Sequence, residues 1–567
     1  MQGKGVSSGI GLGKVLILKN EEFKIQKNVI TNVQREIEIF ENALNGEIND
    51  IKNLLKTING TEKDIMQAYL AIMQDETIKQ EVINVIKNEE CNAEYGVEAG
   101  FDKILKMFGE IDDDYIKTRG SDIIDMKEKI IAKILGKEKI DFSKLDKNTI
   151  IVAKELRTSD TAKLDLKNIS GIITEMGGIN SHMSIMARNH EIPAIVGVKN
   201  LIENIHNNDF VAINGDTGEI VINPTREECI KLEEMKKGIE LEKDELEKYK
   251  YKETITQDGH QLKIFANIGI FQDVELAIEN SAEGVGLFRT EFIYMNSNKC
   301  PTEDEQFNLY KKVAERMQGK KVIIRTLDIG GDKNIKYMDL PKEENPFLGY
   351  RAIRVCLDNI ELFKTQLRAI LKASAYGNLA IMLPMISSVE ELRRAKKVMN
   401  EVKIELKDKN IAFDENIKIG IMIEIPSAAL MAESLAKECD FFSIGTNDLI
   451  QYTVAVERGN EKIEKLYSKY NPAVIKLIKY AIDGAHKNSI HCGICGEAAS
   501  RPAFIPLLIG LGIDELSMNS NKILNSRMQV RNLNFEDCKK LAEETLKINS
   551  TDKVESFLKK NLYLSEY

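Results

Sequence analysis

No apolar run in these 567 residues approaches the ~18 needed to cross a bilayer, so no direct insertion into a membrane is expected. The glycine-containing start, Met1-Gln2-Gly3-Lys4-Gly5, does not read as a signal peptide. A basic excess is missing too. Lys and Arg number 79 against 89 Asp and Glu, and the net charge of -10 argues against nucleic acid as a main partner while suiting a basic protein. Cysteine is sparse: eight residues spread over the chain read as reduced thiols of a cytoplasmic protein. The one CxxC, Cys492-Gly493-Ile494-Cys495, lacks a second CxxC or a His pair at ligand spacing, so a structural zinc site is not expected. The run Ser489–Cys495 reads instead as a buried strand, in which residues three apart face opposite ways and Cys495 matters alone.

Proline is absent from 22 to 136, and there Ile37, Phe40, Leu44, Ile48, Ile51 and Leu55 recur at helical spacing. A glycine turn and a strand precede this segment, in Gly9-Ile10-Gly11 and Gly13–Leu18. Short β-rich runs follow it: Thr149–Ala153, Gly171–Thr174, Pro193–Gly197, Phe210–Asn214 and Glu219–Ile222. A helical insertion interrupting one α/β domain is the simplest account. The expected boundaries are 1–21 with 140–225 for that domain, 22–139 for the insertion, 226–253 for a charged linker helix and 254–567 for the rest.

That last part holds eight β-like runs alternating with helices, beginning near Lys263, Gly284, Val322, Ala380, Ile419, Phe441, Ile490 and Glu515. Such a count fits a (β/α)8 TIM barrel, giving a multidomain α/β protein. Barrels place their sites at the carboxyl ends of the strands. Asn267 ends the first run, Arg289 the second, Arg325 the third, Glu424 the fifth, Asn447 and Asp448 the sixth, and Cys495 the seventh. Solvation alone does not explain so many polar strand ends.

Arg289, Arg325 and Arg458, with Arg351 as a weaker fourth, can grip phosphate or carboxylate bidentately. Glu424 and Asp448 follow adjacent strands about 4.8 Å apart. Carboxylates that close repel or share a cation, and magnesium with its oxygen ligands is the natural choice. Asn447 can hold a phosphate through its amide. In the barrel's absence a second feature would still stand out: Gly177-Gly178-Ile179-Asn180-Ser181-His182, followed by Met183, Ile185 and Met186 at inward positions. Ser181 can cap a helix whose first turn carries His182, where the helix dipole favours a neutral imidazole and an arriving phosphate. Those are the needs of a histidine that accepts and passes on a phosphoryl group.

Taken together, Gly177–Arg188, Leu287–Phe292, Arg325–Lys333, Lys342–Arg354, Glu424-Ile425-Pro426, Ser443–Leu449 and Cys495-Gly496-Glu497 resemble the enzyme I family of the bacterial sugar phosphotransferase system. The resemblance implies a cytoplasmic phosphoenolpyruvate–protein phosphotransferase with a swivelling phosphohistidine domain. It implies that His182 is phosphorylated through Nε2, that Thr161 fixes its tautomer, and that Arg289, Arg325, Asn447 and Arg458 bind phosphoenolpyruvate. Glu424 and Asp448 match the Mg²⁺ ligands. Cys495 matches a proton donor: a buried thiol can protonate the methylene carbon of the leaving pyruvate enolate. Family members dimerise through the barrel and dock the carrier protein HPr on the inserted helices.

The chain departs from the family at Arg157-Thr158-Ser159-Asp160, where a Thr-Pro-Ser-Asp/Glu run is usual, and a looser turn before Thr161 is expected. Glu457 replaces a usual aspartate before Arg458. Two alternatives remain. A pyruvate phosphate dikinase-like fragment is disfavoured because the insertion has no Gly-rich phosphate loop. A catalytically silent phosphoenolpyruvate-sensing scaffold is disfavoured because His182, Cys495 and both metal carboxylates are present.

Overall fold

The computed structural model describes residues 1–561 apart from 19–22, 24, 57–60, 110–113, 138–144, 162–163, 165, 179–180, 296, 298, 332, 334, 339, 459 and 461. The chain separates into two compact units, Met1–Glu242 and Lys243–Tyr567. No helix among the described residues is long and apolar enough to cross a membrane.

The first unit is built on a seven-stranded sheet of order β1-β5-β4-β3-β2-β6-β7. Its strands are β1 (Lys4–Ser7), β2 (Ile10–Leu18), β3 (Thr149–Ala153), β4 (Ile169–Thr174), β5 (Ala194–Val196), β6 (Phe210–Asn214) and β7 (Glu219–Ile222). β2 lies parallel to β3, with Lys14 opposite Thr149, and antiparallel to β6, with Ile10 opposite Asn214. The two N-terminal strands, β1 and β2, therefore join a sheet whose other five members come after the helical segment. β3 is buried along its whole length because both faces are covered. Ile151 and Ala153 pack with Met183, Met186 and Ala187, whereas Ile150 and Val152 pack with Leu201 and Ile205.

Among the described residues five helices intervene: Val33–Leu54, Thr61–Met73, Glu76–Glu89, Ala93–Gly109 and Asp114–Ile134. The Asn32 side chain caps the first by accepting from the Arg35 N–H at 3.1 Å. Ile37, Phe40, Leu44 and Ile51 are buried there, and Ile48 and Leu55 pack at the margin. The 226–253 stretch forms a helix over Arg226–Glu247.

The second unit is a closed parallel barrel: β8 (Lys263–Ile268), β9 (Val285–Arg289), β10 (Val322–Arg325), β11 (Leu379–Leu383), β12 (Lys418–Ile423), β13 (Phe441–Ile444), β14 (His491–Ile494) and β15 (Glu515–Met518). Alternation sorts its side chains. Leu287, Ile323, Ala380, Met382, Met422, Phe441 and Cys495 fill the interior, and residues such as Phe288, Ile324, Ile381 and Phe442 pack outward against the helices. β14 starts later than the sequence suggests, since Ser489 has left-handed backbone at φ 56° and so cannot extend the strand.

Candidate active site

Parallel strands end at one rim, and the rim of this barrel carries a cavity of about 400 Å³. Arg289 and Arg325 are the last residues of β9 and β10 and stand opposite each other in register. Glu424 follows β12, Asn447 and Asp448 lie in the first turn of helix Thr446–Val454 after β13, and Cys495 follows β14. All of these line the cavity, as do Arg351 and Arg458. Two glycines let the rim close this tightly. A Cβ on Gly496 would meet Thr446 Oγ1 at 1.7 Å, and one on Gly445 would stand 3.0 Å from Glu424 Oε2.

Asn267, expected at the same rim, is not brought to the cavity with the others. Its side chain is not among the cavity-lining groups, and its amide is used inside the barrel. Nδ2 donates to the Cys495 carbonyl at 3.0 Å, and Oδ1 accepts from Ser517 Oγ at 2.7 Å. It braces the strand end that carries the thiol.

Acids that had no assigned role organise the bases. Arg325 pairs with Glu291 at 2.5 Å and with Asp328 at 3.0 Å. Arg351 pairs with Asp328 at 3.0 Å and Asp448 at 3.1 Å, and Lys333 reaches Glu291 at 2.9 Å and Asp328 at 3.1 Å. Burial raises the Asp328 carboxyl, but Arg325, Arg351 and Lys333 outweigh it and hold the group well below the usual carboxylate range. Glu291 is likewise lowered by Arg325 and Lys333 against its burial. Both acids were visible as neighbours, Glu291 two residues after Arg289 and Asp328 three after Arg325. Nothing local distinguished them from surface charge.

Glu424 behaves in the opposite way. Burial first, then the nearby Asp448 and Asp328, push its carboxyl up to about 8 against the pull of Arg325 and Arg351. Oε1 accepts from the Met385 N–H at 2.6 Å, whereas the buried Oε2 has no partner among the described residues. A buried carboxylate oxygen without a donor, close to a second carboxylate, fits a hard cation taking oxygen ligands. No group of three or more His, Cys, Asp or Glu among the described residues is arranged to hold a metal, so a cation here needs oxygens from elsewhere.

Cys495 is buried, and burial pushes its thiol up to about 11 against the Ser443 hydroxyl and Arg325. The thiol contacts the Ile444 carbonyl at 3.6 Å. Cys492 packs in the outer layer, so the two sulfurs of the CxxC belong to different faces.

In the first unit, helix His182–Asn189 starts at Ser181, whose Oγ accepts from the Ser184 N–H at 3.3 Å. Gly177 has a φ of 118°, which a side chain would strain. Met183 and Met186 are buried as expected. Ile179, Asn180 and the side chains of His182 and Ile185 lie outside the described residues. Thr161 is buried at the end of the one-turn helix Thr158–Thr161, which packs against the His182 helix. The turn expected to be loose without its proline is anchored by ion pairs from Arg157 and Asp160.

Three family models match the chain: PEP-utilising enzyme, N-terminal, over residues 2–119; PEP-utilising enzyme, mobile domain, over 145–218; and PEP-utilising enzyme, PEP-binding domain, over 243–535. A phosphoenolpyruvate-protein phosphotransferase of Priestia megaterium is 42% identical over 100% of this chain and 99% of its own. Those of Listeria innocua serovar 6a (99% and 99% coverage) and Haemophilus influenzae (98% and 98%) are also 42% identical. Matched end to end by such relatives, and carrying its arginines, carboxylates and thiol at one barrel mouth, the chain belongs to the phosphoenolpyruvate-protein phosphotransferase family, enzyme I of the bacterial phosphotransferase system.

Proposed function

We propose that the protein takes the phosphoryl group of phosphoenolpyruvate onto His182 Nε2, releases pyruvate, and passes the group to a histidine of the carrier protein HPr docked on helices of residues 22–139. One observation carries this reading: Arg289, Arg325 and Arg458, the carboxylates of Glu424 and Asp448 and the buried thiol of Cys495 converge on a single cavity. The arginines hold the substrate's phosphate and carboxylate, and the Asn447 amide supports the phosphate. Asp328 and Glu291 lock Arg325 so that its donors are aimed before substrate arrives. The phosphorus–oxygen bond to the enol breaks as the bond to Nε2 forms, which requires Nε2 within about 3–3.5 Å of the phosphorus. The enolate then takes the Cys495 proton at its methylene carbon, leaving pyruvate and a thiolate. Burial keeps that proton on sulfur until the enolate forms.

Glu424 and Asp448 would hold Mg²⁺, which would supply positive charge to the phosphoryl group. The reading includes a cytoplasmic homodimer formed through the barrel and a place in sugar uptake.

Incubation with labelled phosphoenolpyruvate and Mg²⁺, without ATP, should label the protein, and added HPr should take up the label. His182→Ala should abolish labelling yet bind phosphoenolpyruvate nearly normally, because acceptor and clamp lie in separate units. Labelling of that variant at a comparable rate means another nucleophile carries the group. An unlabelled wild-type protein that still binds phosphoenolpyruvate would instead be a sensor.

A further inference from the structure

Four side chains join the inserted helices to the turn that leads into Thr161. Glu128 and Lys129 are consecutive on helix Asp114–Ile134. Arg157 grips Glu128 with both terminal nitrogens, Nη2 at 2.7 Å from Oε1 and Nη1 on Oε2. Lys129 Nζ stands 2.6 Å from Asp160 Oδ1. All four are largely shielded, with side-chain exposures of 26% and 16% for Glu128 and Arg157, and 26% and 13% for Lys129 and Asp160. The Arg157 carbonyl also accepts the N–H groups of Asp160 and Thr161, at 3.1 and 3.0 Å, so the gripped residue is the one that closes the turn.

The charge order makes this contact specific. The helix offers acid then base, and the turn offers base then, three residues later, acid. Residues three apart in a turn share a face, whereas consecutive helix residues diverge by about 100°. The turn thus straddles the helix. A slip of one residue puts Lys129 against Arg157 and repels.

We propose that Glu128–Arg157 and Lys129–Asp160 form a register-setting clasp that positions the Thr161 turn on the inserted helices and selectively supports transfer from His182 to the carrier protein. Arg157 and Asp160 are positioning residues here, acting through the turn that they hold. The inference rests on the proposed function for its second half only. The clasp fixes the histidine's support relative to the helices on which HPr docks, so loosening it misaligns that step. Self-phosphorylation takes place at the barrel site and needs Thr161 beside the His182 helix, where these two helices pack on each other, but not the register of that turn on the inserted helices.

The test uses the full-length protein with Arg157→Glu, Glu128→Arg and the double exchange. Each single change opposes like charges, and the exchange restores the pair with its polarity reversed. Transfer from the phosphorylated protein to HPr should slow about tenfold in each single variant and recover in the double, as expected for lost alignment. Self-phosphorylation by phosphoenolpyruvate should stay within about twofold of wild type, since no contact at the barrel site changes. Hydrogen exchange gives a readout independent of activity: amides of 157–161 and 125–129 should lose protection together in the single variants and regain it in the double. Equal slowing of both steps, unaltered transfer, or failure of the double to rescue would overturn the proposal. Unchanged protection in the single variants would do so as well. Absence of transfer from wild type to HPr would instead sink the functional reading, and exchange would still decide whether the clasp exists.

Discussion

Arg351 Nη1 donates to Asp448 Oδ1 at 3.1 Å while its Nη2 donates to Asp328 at 3.0 Å. One guanidinium thereby ties a carboxylate proposed to hold the metal to the acid that aligns Arg325. The guanidinium reaches the two acceptors with separate nitrogens, a span that the single nitrogen of lysine does not reproduce from this nearly buried position. Arg351→Lys should lower kcat/KM for phosphoenolpyruvate by about 10- to 100-fold, corresponding to a lost charged hydrogen bond. Steady-state kinetics at fixed Mg²⁺ checks this, and an unchanged value would make Arg351 a bystander.

Glu424→Gln should separate stability from function. The carboxyl is buried and raised to about 8, with one oxygen unpartnered, so at neutral pH the metal-free fold holds a proton that the unfolded chain releases, and this costs stability. The amide removes that cost. In a thermal melt with chelator, the variant should melt no lower than wild type. Mg²⁺ with phosphoenolpyruvate should raise the midpoint of wild type only, where ligand at 100 times its Kd adds about 2.7 kcal/mol.

Cys495→Ala should slow pyruvate release with little change in phosphoenolpyruvate affinity, since on the proposed function the thiol acts on the enolate and hardly on the ground state. A fall of about 100- to 10,000-fold is in the range for a lost general acid. Cys492→Ala, in the outer layer, should affect packing and leave turnover near wild type. Lost binding with preserved turnover in Cys495→Ala would make this cysteine a packing residue.

On the proposed function His182 serves both phosphoenolpyruvate and the carrier, so we expect its support to move relative to the barrel. Labels on the sheet, on the inserted helices and on the barrel, read by single-molecule energy transfer, should show two sheet-to-barrel distances. Their populations should shift with phosphoenolpyruvate and Mg²⁺. Sequence reasoning assigns the motion to residues 140–225 alone, whereas the sheet and the inserted helices cluster in one unit. The helix-to-barrel label reports whether they travel together. A crosslink holding the sheet away from the barrel that left self-phosphorylation at full rate would refute the motion.

A structural pair predicts a pH effect away from the site. His486 Nε2 lies 3.0 Å from Asp514 Oδ2, and that hydrogen bond raises the histidine above its ordinary value. Its stabilising effect is full below about pH 6.5 and is lost as pH rises through the higher folded value. Asp514 is lowered despite burial, by His486 and the Cys492 N–H, so its part persists until strongly acidic pH. His486→Gln should therefore destabilise the fold near pH 5.5 and hardly at pH 8.5. With the histidine 43% exposed, the difference in denaturant midpoints should correspond to under about 1 kcal/mol.

The barrel was legible because its signal is local. Apolar runs alternate with helical periods, and strands starting at Lys263, Val322, Phe441 and Glu515 appear where those runs begin. Polar residues at strand ends could be gathered into one site before any distance was known, since parallel strands of one barrel share a rim. The same logic groups Asn267 with them, although it does not line the cavity. It sits at a strand end, but its inward side chain meets Ser517 and the Cys495 carbonyl before reaching the cavity.

By itself the sequence determined the element types, the barrel, the capped turn before His182 and the residue types at the rim. Periodicity, capping and strand-end chemistry are written within a few neighbouring positions. Only the tertiary structure decided who partners whom: Arg351 with Asp448 across 97 positions, Arg157 with Glu128 across 29, and the unpartnered oxygen of Glu424. Those pairings depend on barrel closure and on how helices seat against the sheet, and an arginine's local sequence is the same whichever acid the fold brings to it.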